Sequence, residues 1–68
     1  MIEKMLTKIQ TERIKKGYSQ LYLASRLNIS QSSYNKLENG KVEMTLSMLF
    51  KITSILELDN KELLLFQN

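Results

Sequence analysis

Apolar residues recur at helical spacing along the chain, and no stretch alternates between apolar and polar residues as a half-buried strand does. The first apolar stripe lies at positions 2, 5, 6 and 9 and predicts a helix that ends near Lys16-Gly17. Two lysines in the last turn of this helix complement the negative end of its dipole. The pattern predicts an all-α protein.

The segment from Ser19 to Gly40 predicts two short helices joined by a tight turn. Ser19 and Ser30 stand where a side-chain oxygen can accept a hydrogen bond from the first turn of each helix. Asn28 lies where the chain must reverse, and Asn tolerates the left-handed backbone conformation better than most residues. Gly40 is the usual kind of residue to end the second helix. This spacing is typical of a helix-turn-helix unit.

The apolar residues of this unit lie on one side of each predicted helix. Leu23 and Leu27 are four residues apart, and the small Ala24 lets a second helix cross at close range. Tyr34 and Leu37 are three residues apart on the second helix. We therefore expect these five side chains to face inward.

The outward side of the second helix carries small polar residues where a solvated helix usually carries Glu and Lys. Gln and Asn can donate and accept hydrogen bonds together, as reading adenine in the major groove requires, and Lys can reach guanine or a phosphate. Side chains at the start of such a helix point toward the floor of the groove. The predicted base-reading residues are Gln31, Ser32, Lys36 and Asn35.

The rest of the chain agrees with a helical plan. Thr45 can cap a fourth helix, and Asp59 followed by Glu62 has the cap and carboxylate spacing that starts a fifth, over residues 60–66. The residues of the fourth helix expected to supply much of the core are Leu46, Met48, Leu49, Phe50, Ile52 and Leu56.

From Glu12 to Leu64 the chain resembles the Cro/repressor-type (Xre-like) helix-turn-helix domain of phage repressors and many small bacterial regulators. The resemblance implies a compact five-helix bundle, the lambda-repressor-like fold, with the third helix in the major groove. Asn28 and Glu57 depart from it by replacing Gly, and Tyr34 replaces Ile or Val, so its hydroxyl is expected at the edge. The matching residues are Arg13, Gly17, Ser19-Gln20, Leu23-Ala24, Ile29-Ser30, Leu37-Glu38-Asn39-Gly40, Leu46, Leu49, Lys51-Ile52 and Lys61-Glu62-Leu63-Leu64.

The resemblance also assigns roles to individual residues. Gln20 is expected to contact a phosphate and to brace the recognition helix. Arg13 and Glu38 are expected to form an ion pair between the first and third helices, with the guanidinium also reaching a phosphate. Dimer contacts in the family lie at the loop before the last helix and on that helix, which here means Leu58, Leu65, Phe66 and Leu56.

Charge supports a nucleic-acid partner only through its placement, because a net charge of +3 is modest. Lysines gather at or next to the predicted reading unit, whereas Glu57, Asp59 and Glu62 gather near the other end of the sequence. A helix N-terminus can in addition hold a backbone phosphate. The predicted phosphate contacts are Ser19, Gln20, Ser33, Arg13, Lys15, Lys16, Asn39 and Lys41.

Composition narrows the kinds of protein and of functional site that this chain can form. With 68 residues, the chain is expected to form one domain, residues 1–68, without linkers or repeats. It contains no Cys and no His, so neither a thiolate metal site nor the commonest general base is present, and no cofactor is expected. Charged residues interrupt the apolar N-terminus, which argues against a signal peptide or a membrane span. A cytoplasmic protein without enzymatic activity is the expectation.

The expected function is sequence-specific binding of double-stranded DNA by a transcription regulator. A small repressor or controller protein would bind a two-fold symmetric operator as a homodimer. The alternative is an antitoxin-type protein that binds its own operator and neutralises a toxin. A protein partner, either a toxin or an antirepressor, therefore stays open, as does the chain being the front of a longer regulator.

Overall fold

The computed structural model describes residues 2–59, with the side chain of residue 2 excepted, and these residues form four helices in sequence. The predicted fifth helix, over residues 60–66, lies outside this range. Within it, no helix is long and apolar enough to cross a membrane. The helices are α1 (Ile2–Lys15), α2 (Gln20–Leu27), α3 (Gln31–Glu38) and α4 (Leu46–Leu56).

Three of these helices begin at the predicted hydroxyl caps. Ser19 Oγ accepts a hydrogen bond from the Tyr22 backbone N–H at 2.9 Å, and Ser30 Oγ accepts one from Ser33 at 3.0 Å. Thr45 Oγ1 accepts one from Met48 at 3.1 Å. Each cap satisfies an N–H group that has no partner inside its own helix.

Left-handed residues end the helices. Asn28 closes α2 with φ 59° and ψ 38°, which confirms the predicted turn, and Glu57 closes α4 with nearly the same angles. Gly40 adopts φ 71° after α3, and a Cβ there would lie 3.1 Å from Leu6 Cδ1. Glycine at position 40 thus allows both the backbone conformation and the close approach of α1.

The core lies where α2, α3 and α4 meet the inner face of α1. Leu23, Tyr34 and Ile52 are fully buried, so each of the last three helices contributes a large side chain. α2 packs closely on α3, and α4 packs mainly against α1 and α2. The buried core cluster in the described range consists of Met5, Ile9, Leu23, Ala24, Leu27, Tyr34, Leu49, Ile52 and Leu56.

The prediction for α4 was wrong at two positions. Leu46 is 65 % exposed and Phe50 is 50 % exposed. The inner face of α4 is formed by buried residues that include Leu49, Ile52 and Thr53. Phe50 comes one residue after Leu49 and is therefore turned away from this face by about 100° around the helix axis. Thr53 remains satisfied on this apolar face because its hydroxyl donates to the Phe50 carbonyl at 2.9 Å.

The expected dimer residues fall into three groups. Leu56 is fully buried in the chain's own core, so it has no side-chain surface to offer a second chain, and its assignment is corrected. Leu58 is half-buried and packs against the same core. Leu65 and Phe66 lie outside the described residues.

Candidate nucleic-acid interface

The outward face of α3 is exposed as the sequence pattern predicts. Tyr34, Leu37 and Glu38 are the buried residues of this helix. On its other side Gln31, Ser32, Ser33 and Lys36 are all exposed. The Ser33 hydroxyl accepts a hydrogen bond from Ser30 Oγ at 2.9 Å, so it is part of the N-terminal turn. A continuous polar surface therefore runs along the first turns of α3.

A buried ion pair fixes α3 against α1. Arg13 Nε donates to Glu38 Oε2 at 2.9 Å, and Arg13 Nη2 donates to Glu38 Oε1 at 3.0 Å. Arg13 Nη1 also donates to the Tyr18 carbonyl at 2.8 Å, which ties the chain leaving α1 to the same group. Both charged residues are less than a tenth exposed. The expected ion pair is confirmed, and it has the bidentate geometry that an Arg guanidinium forms with a carboxylate.

The pairing keeps both groups charged. Burial by itself raises the pKa of the Glu38 carboxyl, but the hydrogen bond from Arg13, the neighbouring Tyr34 hydroxyl, the hydrogen bond from Gln20 and the charge of Arg13 together outweigh this effect. The net pKa of Glu38 therefore lies below its ordinary value of 4.5. The hydrogen bond to Glu38 in turn raises the pKa of Arg13. The first and third helices are joined by a full ion pair at neutral pH.

Side-chain amides extend this ion pair toward the surface. Gln20 Nε2 donates to Glu38 Oε1 at 3.2 Å, which confirms the expected brace between α2 and α3. Asn35 Nδ2 donates to Gln20 Oε1 at 3.1 Å. Asn39 Nδ2 donates to Asn35 Oδ1 at 3.1 Å. Both ends of the Asn35 amide are thus hydrogen-bonded within the protein, which fixes the orientation of this side chain.

The Tyr34 hydroxyl departs from its predicted place at the edge. The ring faces inward as expected, but the hydroxyl oxygen is also buried and has no hydrogen-bond partner in the described part of the chain. Burial and the neighbouring Glu38 carboxylate raise the pKa of Tyr34, so the group stays neutral. The predicted location of the hydroxyl at the edge is therefore wrong.

The lysines expected at phosphates differ in their surroundings. Lys36 and Lys41 are exposed on α3 and just after it. Lys15 lies 3.3 Å from a Glu12 carboxylate oxygen on its own helix. Lys16 Nζ lies 3.7 Å from Glu57 Oε2, because the ends of α1 and α4 are close together in the fold. The separation of basic and acidic residues along the sequence therefore does not hold in space at Lys16.

An aromatic and arginine cluster, formed by Tyr18 before α2 and by Tyr22 and Arg26 on it, was not predicted from the sequence. The rings of Tyr18 and Tyr22 lie 4.6 Å apart between centroids, tilted by 44°. Arg26 Nη1 donates to the Tyr22 hydroxyl at 2.8 Å, and its Cζ lies 5.7 Å from the centre of that ring. The signal was present in part as the spacing of four between Tyr22 and Arg26, which places these two side chains on one face of α2.

The acidic residues of the described range do not cluster into a metal site. Among the residues that the structure describes, no three acidic side chains come close enough to hold an ion. The concentration of polar groups is instead at the exposed start of α3 and at the N-terminus of α2. This arrangement of two crossing helices, with one polar face outward, defines a helix-turn-helix DNA-binding domain.

Comparison with known families agrees with this geometry. A family model described as helix-turn-helix matches residues 9–59, and the chain belongs to this Cro/Xre-type family. Neither a search of curated proteins nor a search of solved structures returned a significant match.

Proposed function

We propose that this protein is a sequence-specific transcription regulator that binds a two-fold symmetric operator in double-stranded DNA as a homodimer. The observation that carries the proposal is the exposed start of α3, which is held in place from behind by the Arg13–Glu38 pair. A recognition helix must present polar side chains to base edges while its other side stays rigidly packed. The α3 helix meets both requirements.

Gln31, Ser32 and Lys36 are the proposed base-reading residues. All three are exposed, and Lys36 follows Ser32 by about one helical turn. A Gln can bind the N6 and N7 edge of adenine through two hydrogen bonds, whereas a Lys can donate to guanine O6 and N7. Together these groups can distinguish a short run of base pairs in one major groove.

The proposed phosphate contacts surround this reading surface. Ser19 and Gln20 stand at the N-terminus of α2, where unpaired backbone N–H groups favour an anion. Ser33, Asn39 and Lys41 flank α3 at its two ends. The remaining proposed phosphate contacts are Arg13, Lys15 and Lys16, of which Arg13 is nearly buried and the two lysines each face a carboxylate.

A homodimer is proposed because one eight-residue recognition helix covers only half of a typical operator. Two copies related by a two-fold axis would read two half-sites about one helical turn of DNA apart. The proposed contacts between copies are Leu58, Leu65 and Phe66, residues at and beyond the end of α4.

The experiment is selection of binding sites from a random duplex library, followed by sizing of the protein bound to the enriched sequence. We expect a two-fold symmetric site that carries two protein chains. Enrichment of an asymmetric half-site with a single chain would remove the dimer but keep the regulator. If no sequence is enriched even at low salt, the regulator proposal is contradicted.

A further inference from the structure

Three side-chain amides form a chain of hydrogen bonds in which every donor points toward the Glu38 carboxylate. Asn39 donates to Asn35, Asn35 donates to Gln20, and Gln20 donates to Glu38. Each amide in the chain uses its nitrogen toward Glu38 and its oxygen away from it. The chain joins the N-terminus of α2 to the middle and the end of α3.

The direction of this chain follows from chemistry. An ionised carboxylate can only accept hydrogen bonds, so Gln20 must turn its NH₂ group toward Glu38 and its oxygen toward Asn35. The oxygen of Gln20 then requires a donor, which sets the Asn35 amide in the same sense. Asn39 follows for the same reason. One buried charge therefore orients three amides that could otherwise rotate by 180° with little change in shape.

We propose that Asn35 is a positioning residue, which holds the Gln20 amide so that its second N–H hydrogen is presented to a DNA phosphate, rather than a base-reading residue. The inference rests on the proposed DNA binding and deepens it. Asn35 is half-buried, and its bonds to Gln20 on one side and Asn39 on the other fix the orientation of its amide inside the protein. Gln20 has one amide hydrogen on Glu38, so the other remains for an external acceptor.

The two roles of Asn35 predict different effects on DNA binding. A base-reading residue affects binding to one base pair of the preferred site and leaves binding to random sequence unchanged. A positioning residue that acts through a phosphate contact affects every sequence alike. In addition, a residue that acts only through Gln20 has no effect once Gln20 has been removed.

The test is a double-mutant cycle with Gln20→Ala and Asn35→Ala, and Ser54→Ala on the exposed side of α4 is the control. Affinity is measured for the selected duplex and for a random-sequence duplex at one salt concentration. We expect each single variant to weaken binding to both duplexes by about two- to tenfold, the range of one net hydrogen bond. The double variant should bind no more weakly than the weaker single variant, and Ser54→Ala should bind as wild type.

Three results would overturn the assignment of Asn35. The first is a loss confined to the selected duplex, which would make Asn35 a base reader. The second is a double variant whose loss equals the product of the single losses, and the third is an Asn35→Ala variant that binds as wild type. Thermal unfolding of each variant checks that the fold is retained, which we expect because Ala favours helix more than Asn does.

A measurement without DNA separates this inference from the proposed function. In the ¹⁵N-labelled free protein, the side-chain NH₂ signals of Asn35 should shift in Gln20→Ala and stay unchanged in Ser54→Ala. Unshifted signals in Gln20→Ala would show that the hydrogen bond is absent, whatever the DNA result. Wild-type protein that binds no duplex, with the expected shift present, would instead contradict only the proposed DNA binding.

Discussion

At the scale of single residues, the ion pair between Arg13 and Glu38 holds two helices together, as additional core side chains would in a larger domain. Their two hydrogen bonds at 2.9 and 3.0 Å join helices that are distant in sequence. Removal of one partner from a buried pair costs about 3–5 kcal/mol, since the other charge stays buried without compensation. A chain of 68 residues has little stability to lose, so we expect removal of either partner to take a large share of it.

The lowered pKa of Glu38 predicts that the protein loses stability in acid. Because the folded-state pKa lies below the ordinary 4.5, the contribution is complete above that value and disappears as the pH falls through the folded-state pKa. Urea unfolding measured between pH 6 and pH 3 should show this decline. In Glu38→Gln the protein should be less stable at pH 6 and the decline shallower; an equally steep decline in that variant would assign it to other carboxyls.

The unpaired hydroxyl of Tyr34 predicts a neutral or stabilising substitution. Tyr34→Phe keeps the buried ring and removes a polar atom that has no partner in the described structure, so we expect the free energy of unfolding to stay equal or rise by about 1 kcal/mol. Tyr34→Ala, the matched cavity variant, should lose about 3–5 kcal/mol. Denaturant unfolding of the two variants checks both values. A loss above 1 kcal/mol in Tyr34→Phe would mean that the hydroxyl is hydrogen-bonded.

The helix ends show what local sequence determines at the scale of elements. The caps at Ser19, Ser30 and Thr45 were predictable because a hydroxyl before an apolar run satisfies the same backbone groups in any protein. The left-handed turn at Asn28 was predictable for a similar reason. The exposure of Leu46 and Phe50 was not predictable, because periodicity gives the apolar side of a helix but not which part of that side a neighbouring helix covers.

The left-handed conformation of Glu57 predicts that glycine would be better there. At φ 57° a Cβ is strained, and the contact with Lys16 at 3.7 Å is exposed and weak. Glu57→Gly should therefore raise the free energy of unfolding by roughly 0.5–1 kcal/mol. The control is Lys51→Gly in the middle of α4, which should lower it by a similar amount. Thermal unfolding of both variants settles the sign, and a loss in Glu57→Gly would refute the strain at this position.

At the scale of the whole molecule, the candidate surface depends on contacts that the sequence does not display. Pattern and resemblance identified the exposed residues Gln31, Ser32 and Lys36, because they alternate with the buried side of one short helix. The engagement of Asn35 by Gln20 could not be predicted, since it depends on the distance between two crossing helices. The same is true of Lys16 beside Glu57, residues that are 41 positions apart in sequence.

The position of Lys41 predicts a change in salt dependence. An exposed lysine just after α3 that contacts a phosphate releases a counterion on binding, so Lys41→Ala should lower the slope of log affinity against log salt by about 1. Lys51→Ala is the matched control, because Lys51 is exposed on α4, which packs mainly on α1 and α2. Titrations of one duplex at four salt concentrations give both slopes. Equal slopes in the two variants would exclude Lys41 from the phosphate contacts.

The outward face of α3 is the surface proposed to meet duplex DNA. A titration of ¹⁵N-labelled protein with a short duplex, followed through the amide chemical shifts, tests this directly. We expect the largest shifts at Gln31, Ser32 and Lys36, with smaller ones at Ser19, while the exposed residues of α4 stay unchanged. Shifts concentrated on α4, or none at low salt, would show that α3 is not the DNA-binding surface.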